Sequence, residues 1–368
     1  MKNIIVLCGG KSSEHDISLI TANLVLNAIN EEKYNVYPII VDKNNEWNYI
    51  KNFKNNIDKD MQKIKVYLRL GENALYKKSG LFLKKLTNVD CAILCHHGLN
   101  GEDGTIQGVL ELCNIPYTSS GVINSGITMD KVVMKLLFKE FNFNVIDYDF
   151  FTKEEFMQDN IKLINKVVEN LGYPIIVKPA NLGSSIGISV AKNDEELKNS
   201  IMVALNYDNK ILVEKALTDF KEINCAVLGY KNDIIVSSLE QPLSWKDFLT
   251  FDEKYINSNK KCEKRIYPAK LDKKIEKEIK NISASIFKKF ELSGVVRIDY
   301  IVKDDEVFVN EINSIPGSLA YYLFEKENLC FTEIIDKLIE IAERKYLDKQ
   351  KLTYAYKSDV LKNKTIKK

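Results

Sequence analysis

The most constraining stretch lies late in the chain. It reads Gly294-Val-Val-Arg-Ile-Asp-Tyr-Ile-Val, an acidic turn at Asp304-Asp305, then Val307-Phe-Val-Asn-Glu-Ile-Asn-Ser-Ile-Pro-Gly317. Both arms are β-branched and aromatic with alternating character, which predicts an antiparallel hairpin. Side chains two apart on a strand share a face. Glu311 and Asn313 therefore point the same way, Asp299 can oppose them across the ladder, and Arg297 shares the face of Asp299. Three oxygen side chains beside a cation suit Mg²⁺, which takes a few carboxylates and completes its octahedron with phosphate oxygens and water. A half-solvated sheet face would show the same alternation, and the hairpin alone leaves both readings open.

A chain of 368 residues has room for two or three domains, each able to bury its own core. Its 53 basic and 51 acidic residues nearly cancel, which argues against a nucleic-acid footprint built on net charge. The seven cysteines are scattered without paired metal-ligand spacing, and Cys91 and Cys95 alternate within an apolar run. Reduced core thiols in a cytoplasmic protein are the expectation. The chain opens directly on a strand, Lys2 to Cys8, with no signal-peptide pattern, and no apolar run approaches the ~20 residues of a membrane span.

That opening strand runs into Gly9-Gly10-Lys-Ser-Ser-Glu14 and then an amphipathic segment, Leu19 to Ile29, the first unit of an α/β sheet. A Walker A loop is excluded because Ile5 stands where that motif needs glycine, and no spaced G-x-G-x-x-G follows. The loop offers Glu14, a carboxylate at the carboxyl end of a strand, where open α/β sheets bind ligands. Val36 to Val41 predicts a second strand, and the Lys- and Asn-rich residues 43–88 an excursion with a short hairpin. Cys91 to Cys95 returns as a buried strand and delivers His96 and His97 to a glycine-rich loop. Ser119-Ser-Gly121 marks a domain boundary near residue 120.

A helix over Ile127–Phe141 carries Lys131. Ile175 to Lys178 predicts a strand, followed by the loop Asn181-Leu-Gly-Ser-Ser-Ile-Gly187. Glycine freedom, amide N–H groups and the hydroxyls of Ser184 and Ser185 let such a loop wrap phosphate oxygens, with Lys178 and Lys131 as point charges. An ordinary hairpin tip is the alternative, but a lysine in an apolar strand without a partner is costly. Glu214 and Lys215 end a further strand with polar groups suited to an adenine edge, and Glu222 begins the next. Residues 240–268 lack clean periodicity, and a loop of that length usually covers a site. Asp272 predicts a helix cap, and Thr332 caps a last helix to about Ala342, leaving 346–368 as a polar tail.

These pieces together resemble the D-alanine–D-alanine ligases of the ATP-grasp superfamily over about residues 2–345. The matching motifs, in order, are Gly9-Gly10 to Ser18; His97-Gly with Gly101-Glu-Asp-Gly-Thr-Ile-Gln-Gly; Pro116-Tyr-Thr with Ser-Gly-Val; Met129-Asp-Lys131; Ile176-Val-Lys-Pro with Gly-Ser-Ser-Ile-Gly; Glu214-Lys; Glu253-Lys-Tyr255; and Arg297-Ile-Asp with Asn-Glu-Ile-Asn and Pro-Gly. The resemblance implies an α/β fold, α+β in its nucleotide-binding part. It implies an N-terminal open α/β domain (1–120), a central ATP-grasp subdomain (121–213), a C-terminal one bearing the metal site (214–345) and the tail. It also implies ATP between two sheets, two Mg²⁺ ions with Mn²⁺ as an alternative, a homodimer, and small-molecule substrates for peptidoglycan synthesis. In the implied chemistry a first D-amino acid attacks the γ-phosphate of ATP, and the acyl phosphate is then attacked by the amine of a second.

By the same likeness Asp299, Glu311 and Asn313 hold the metals. Lys131, Lys178, Gly183, Ser184 and Ser185 hold phosphates, and Glu214, Lys215, Leu217, Glu222 and Lys254 serve the rest of the nucleotide. Glu14, Ser184 and Tyr255 anchor the first amino acid, His97 lies on the substrate side, and Arg297 with the Gly317 N–H stabilises the oxyanion. Relatives that make D-Ala–D-lactate lack a tyrosine at Tyr255, so its presence favours an amine acceptor. One departure stands out. The family continues after Pro-Gly with a serine that grips the second D-alanine's carboxylate, whereas this chain reads Ser318-Leu-Ala-Tyr-Tyr322 and places Tyr322 there. Ser318 or Tyr322 can take over that contact, or the acceptor can change to D-serine or another amino acid. A non-catalytic ATP-binding regulator is the alternative from another class.

Overall fold

Ile4 to Gly9 are buried in succession, the pattern of a strand covered on both faces, and in the computed structural model β1 (Lys2–Gly9) lies inside the first sheet. The structure describes residues 1–51, 53, 62–243 and 265–355. After α1 (His15–Ala28), β2 (Tyr34–Val41) pairs with β1 in parallel. β3 (Trp47–Ile50), β4 (Lys63–Arg69), β5 (Glu72–Ser79) and β6 (Phe82–Asn88) extend the sheet antiparallel, and β7 (Cys91–Leu94) flanks β1 on its other side, ahead of α2 (Thr105–Leu112). Residues 43–88 thus hold more strands than the single hairpin expected. β5 buries only Ala74, Leu75 and Tyr76, and most of the edge strand β6 is exposed, so the period-2 apolar signal is faint. Lysines on β6 are the usual guard of an open edge.

The helix expected over Ile127–Phe141 is two helices, α3 (Val122–Met129) and α4 (Lys131–Glu140). Asp130 breaks it: its backbone is extended (φ −86°, ψ 104°) and its carboxylate accepts from the N–H groups of Val132 and Val133. The break places Lys131 at the first position of α4, where its N–H donates to the Ala180 carbonyl at 2.9 Å. β8 (Tyr148–Thr152), α5 (Lys153–Gln158), α6 (Asn160–Leu171), β9 (Ile175–Pro179), β10 (Ser189–Ala191), α7 (Asp194–Ala204) and β11 (Lys210–Lys215) build the central sheet, ordered β10-β9-β11-β8 and antiparallel throughout.

β12 (Lys221–Tyr230) and β13 (Asp233–Val236) start the last sheet; β14 (Gln241–Pro242) and β15 (Arg265–Ile266) pair beside it. α8 (Lys273–Lys289), capped by Asp272 as expected, leads to the hairpin β16 (Ser293–Lys303) and β17 (Glu306–Asn313), and the order is β13-β12-β16-β17. Asp299 faces Glu311 and Arg297 faces Asn313, but a bulge follows Asp299, since Tyr300 pairs with Val309 and Asn310 is passed over.

A 3₁₀ segment (Gly317–Glu327) precedes α9 (Phe331–Gln350), whose N-cap is Cys330 and not Thr332. The Thr332 hydroxyl donates instead to the Ala28 carbonyl at 2.7 Å. The helix also continues past Ala342, into residues expected as tail, because its polar turns find partners: Lys345 Nζ donates to Ser119 O at 2.6 Å, and Lys349 pairs with Glu111. Residues of β1 and β7 share a core with Leu228, Val295, Ile315, Phe324 and α9, so the N-terminal sheet and the end of the chain stabilise one another. No helix among the described residues is long and apolar enough to cross a membrane.

Candidate active site

A cleft of about 300 Å³ opens between the central and last sheets. Lys131, Lys178, Gly183, Ser184, Ser185, Glu214, Leu217, Glu222, Asp299 and Glu311 all line it. Its lid-like loop between β9 and β10 turns on two successive left-handed residues, Ser184 (φ 53°) and Ser185 (φ 59°). Lys131 Nζ donates to Leu182 O at 2.8 Å, and Asn181 is fixed through its N–H and side-chain amide to Asp208. Lys131 also lies 3.6 Å from Glu311 Oε2, so one ammonium bridges the loop and the β17 carboxylate.

Behind the loop lies a buried charge cluster that sequence reasoning saw only in part. The Glu214 carboxylate pairs with Lys178 and, at 2.5 Å, with Lys135 on α4. Burial alone would raise the Glu214 carboxyl, but the two ammoniums more than reverse that and hold it at about 2. Glu214 thus meets the cleft as an anion already engaged on both sides.

On the hairpin, the Arg297 guanidinium donates through Nε and a terminal nitrogen to both oxygens of Asp299 at 2.7 Å, and Asn313 Nδ2 reaches Asp299 Oδ2 at 3.1 Å. Bidentate pairing of this kind fixes the carboxylate plane. The bulge brings both Asn310 and Glu311 to the cleft, which strict alternation would forbid. Among the described residues no three His, Cys, Asp or Glu groups cluster as a metal site. The donors are two carboxylates and an amide oxygen, hard ligands that fit Mg²⁺ or Mn²⁺ and not a zinc centre.

At the far end of the loop, Glu14 is buried and accepts a hydrogen bond from the Ser184 hydroxyl. It is held between two glycines: a Cβ on Gly98 would come 2.5 Å from its Oε2, and one on Gly183 would come 2.9 Å. The turn after the hairpin is clamped to residues of the N-terminal region as well. His97 Nδ1 lies 2.9 Å from Ile315 O, which only accepts, so Nδ1 carries the proton and Nε2 accepts from the Thr21 hydroxyl at 2.8 Å. Burial keeps this imidazole neutral, its pKa lowered to about 4. Thr21 Oγ1 in turn accepts from Ser318 N–H, and Glu102 accepts from the N–H groups of Ile315 and Gly98. Burial, with the charge of Glu14 adding to it, pushes the Glu102 carboxyl up to about 7. Beyond the turn, the Tyr322 hydroxyl donates to Glu240 at 3.2 Å, and the Arg265 guanidinium stacks 4.1 Å over its ring.

The structure therefore gathers the expected phosphate, carboxylate and donor-side residues around one cleft and the adjoining turn. The Lys215 side chain is exposed, and both nitrogens of His97 go to the protein itself. Tyr255 and Lys254 lie outside the described residues. Lys135, Thr21, Glu102, Glu240 and Arg265 escaped sequence reasoning. Only Lys135 left a usable sign, standing one helical turn from Lys131.

Comparison with known proteins agrees with this geometry. The family model described as D-ala D-ala ligase N-terminus matches residues 3–120, and the one described as D-ala D-ala ligase C-terminus matches 137–340. The chain is 42% identical over 359 residues to the D-alanine--D-alanine ligase of Thermosipho melanesiensis, covering 95% of this chain and 96% of that one. It is 37% identical over 358 residues to the enzyme of that name from Staphylococcus epidermidis, covering 96% and 98%. Among solved structures, the D-alanine-D-alanine ligase from Coxiella burnetii superposes with a TM-score of 0.80 at 27% identity, over 95% of this chain and 96% of that one. The VanG D-Ala:D-Ser ligase from Enterococcus faecalis gives 0.79 at 28% identity, over 93% and 99%. With both family models matched and near-complete coverage at that identity, the chain belongs to the D-alanine–D-alanine ligase family.

Proposed function

We propose that the protein joins two D-alanines into a dipeptide for peptidoglycan, consuming ATP with a divalent metal through an acyl-phosphate intermediate. What carries the reading is the convergence of Lys131, Lys178, the Gly183–Ser185 loop, Asp299 and Glu311 on one cleft, with Glu14 bonded to Ser184 at its edge. The first D-alanine places its ammonium against Glu14, and its carboxylate attacks the γ-phosphate. Two anions repel, so Lys131 and Lys178 must lower the charge on the phosphates. Asp299, Glu311 and Asn313 are the residues to hold the metal, as two Mg²⁺ ions or Mn²⁺ in their place, which when bound neutralise phosphate oxygens. Leu217 and Glu222 line the part of the cleft suited to adenine and ribose. The amine of the second amino acid then attacks the acyl carbon and phosphate leaves. Arg297 has N–H donors beyond the two given to Asp299, and with the Gly317 N–H these stabilise the oxyanion.

Incubation with ATP and D-alanine alone should yield ADP, phosphate and a dipeptide of the mass of D-alanyl-D-alanine. A second reading, D-serine as acceptor, is favoured by Tyr322 and by the similarity to the D-Ala:D-Ser ligase. Turnover with D-alanine plus D-serine but none with D-alanine alone would install it in place of the first. The family likeness also supports a cytoplasmic homodimer, which sedimentation and cell fractionation would test.

A further inference from the structure

Lys135 stands one turn beyond Lys131 on the same face of α4 and reaches into the protein. Its side chain is 1% exposed, as is that of Glu214, whereas Lys178 keeps 11% and faces the cleft. In the β9–β11 ladder Lys178 pairs with Leu212 and Glu214 with Ile176, so Lys178 and Glu214 are diagonal neighbours on one face. A buried carboxylate therefore lies between two ammoniums, one enclosed and one open to ligand. The arithmetic of charge decides what this can do. Glu214 with Lys178 alone would be a neutral pair, and the lysine's charge would be held by its partner. With Lys135 added the cluster carries one net positive charge, and of its two ammoniums Lys178 is the one that lines the cleft.

We propose that Lys135 is a positioning residue of the nucleotide site, compensating Glu214 so that the charge of Lys178 stays available to the phosphates of ATP. The inference rests on reading the cleft as the ATP site. Lys135 itself touches no ligand, since Glu214 lies between it and the opening. An enclosed lysine is expensive unless it is paired, and a packing role alone would be met by methionine. The titration directions agree: burial lowers Lys135, whereas Lys178, burial notwithstanding, is raised by Glu214, Glu311 and Glu222.

The test is the set Lys135→Met, Glu214→Gln and the double variant, each followed by ATP KM, D-alanine KM, kcat and binding of a non-hydrolysable ATP analogue. Lys135→Met should raise the ATP KM by about tenfold or more, with kcat and the D-alanine KM moving far less. Adding Glu214→Gln should return most of the loss, because removing the anion releases Lys178. A folded Lys135→Met protein with an unchanged ATP KM overturns the proposal, and so does a double variant as weak as the single one. Should Lys135→Met not fold, the comparison moves to Glu214→Gln with and without Lys135. Near-equal ATP affinity supports compensation, whereas a further tenfold loss means that Lys135 acts on the nucleotide directly. Wild-type protein without ATP-dependent turnover would overturn the functional reading itself, an outcome separate from any of these.

Discussion

Replacing Gly98 with alanine probes the donor end of the cleft without touching a charged group. Gly98 has φ +68°, and an added Cβ would stand 2.5 Å from Glu14 Oε2 and 2.8 Å from Ser12 Oγ. Holding an L-residue in the left-handed region costs about 1–2 kcal/mol. Ordinary contact begins near 3.4 Å, so the Glu14 carboxylate must retreat on the order of 1 Å, and a misplacement of that size costs about 10²-fold in rate. Glu14 has little room to swing aside: it is buried, accepts from Ser184, and has Gly183 close by. Saturation curves for D-alanine at fixed ATP should therefore show kcat/KM for the first amino acid down about 10–10²-fold, with ATP KM nearly unchanged. Thermal melts should show a lower Tm. Gly183→Ala is the comparison, because that glycine has no positive φ and its Cβ would stand 2.9 Å from Glu14 Oε2, a milder approach than the one from Gly98. Wild-type donor kinetics in Gly98→Ala, or an equal loss in Gly183→Ala, would refute the reasoning.

Glu311→Gln should lower kcat by at least about 10²-fold while the Tm holds, since it weakens the metal face and not a core; full activity would remove Glu311 from that face. Tyr322→Phe deletes the hydroxyl that Glu240 accepts and should raise the KM of the second amino acid by about tenfold, leaving donor and ATP constants alone. An unchanged second KM would place the acceptor elsewhere. For pH, the Glu214 carboxyl sits at about 2, below its ordinary 4.5, so its folded state binds fewer protons. The stability it contributes is present in full above 4.5 and is lost as pH falls towards 2. The Tm difference between wild type and Glu214→Gln should shrink across that window, and a difference that stays constant would contradict the charge cluster.

What could be read from sequence was what periodicity and local chemistry encode. The hairpin of Asp299 and Glu311 announced itself through alternation, and the loop from Asn181 to Gly187 through its glycines and the two lysines expected beside it. The bulge at Asn310 did not, because a single extra residue leaves both arms looking regular and shifts only the pairing. Asp130 carried a readable cap signal that an uninterrupted apolar count concealed. Thr21, Glu102 and Glu240 were out of reach for another reason. Each works through partners distant in the chain, as in the contact of Glu102 with Ile315, and nothing local distinguishes such a threonine or glutamate from a solvated one.

Those distant contacts explain why the N-terminal part of the chain belongs to this site by more than Glu14. Ser318, Leu319 and Ala320 are successive non-glycine residues in the left-handed region, with φ between 48° and 53°. At about 1–2 kcal/mol each, such a turn does not persist unless its surroundings over-determine it. The hydrogen bonds that do so come from the other end of the chain: Thr21 takes Ser318 N–H, His97 donates to Ile315 O, and Glu102 takes Ile315 N–H. Leu319 and Ala320 complete the arrangement by entering the core that β1 and β7 share with α9. The turn that carries Gly317, Ser318 and Tyr322 is thus shaped by residues packed around the N-terminal sheet and presented by the last one. His97, with one ring nitrogen on Thr21 and the other on Ile315 O, is the residue that ties the two ends together there.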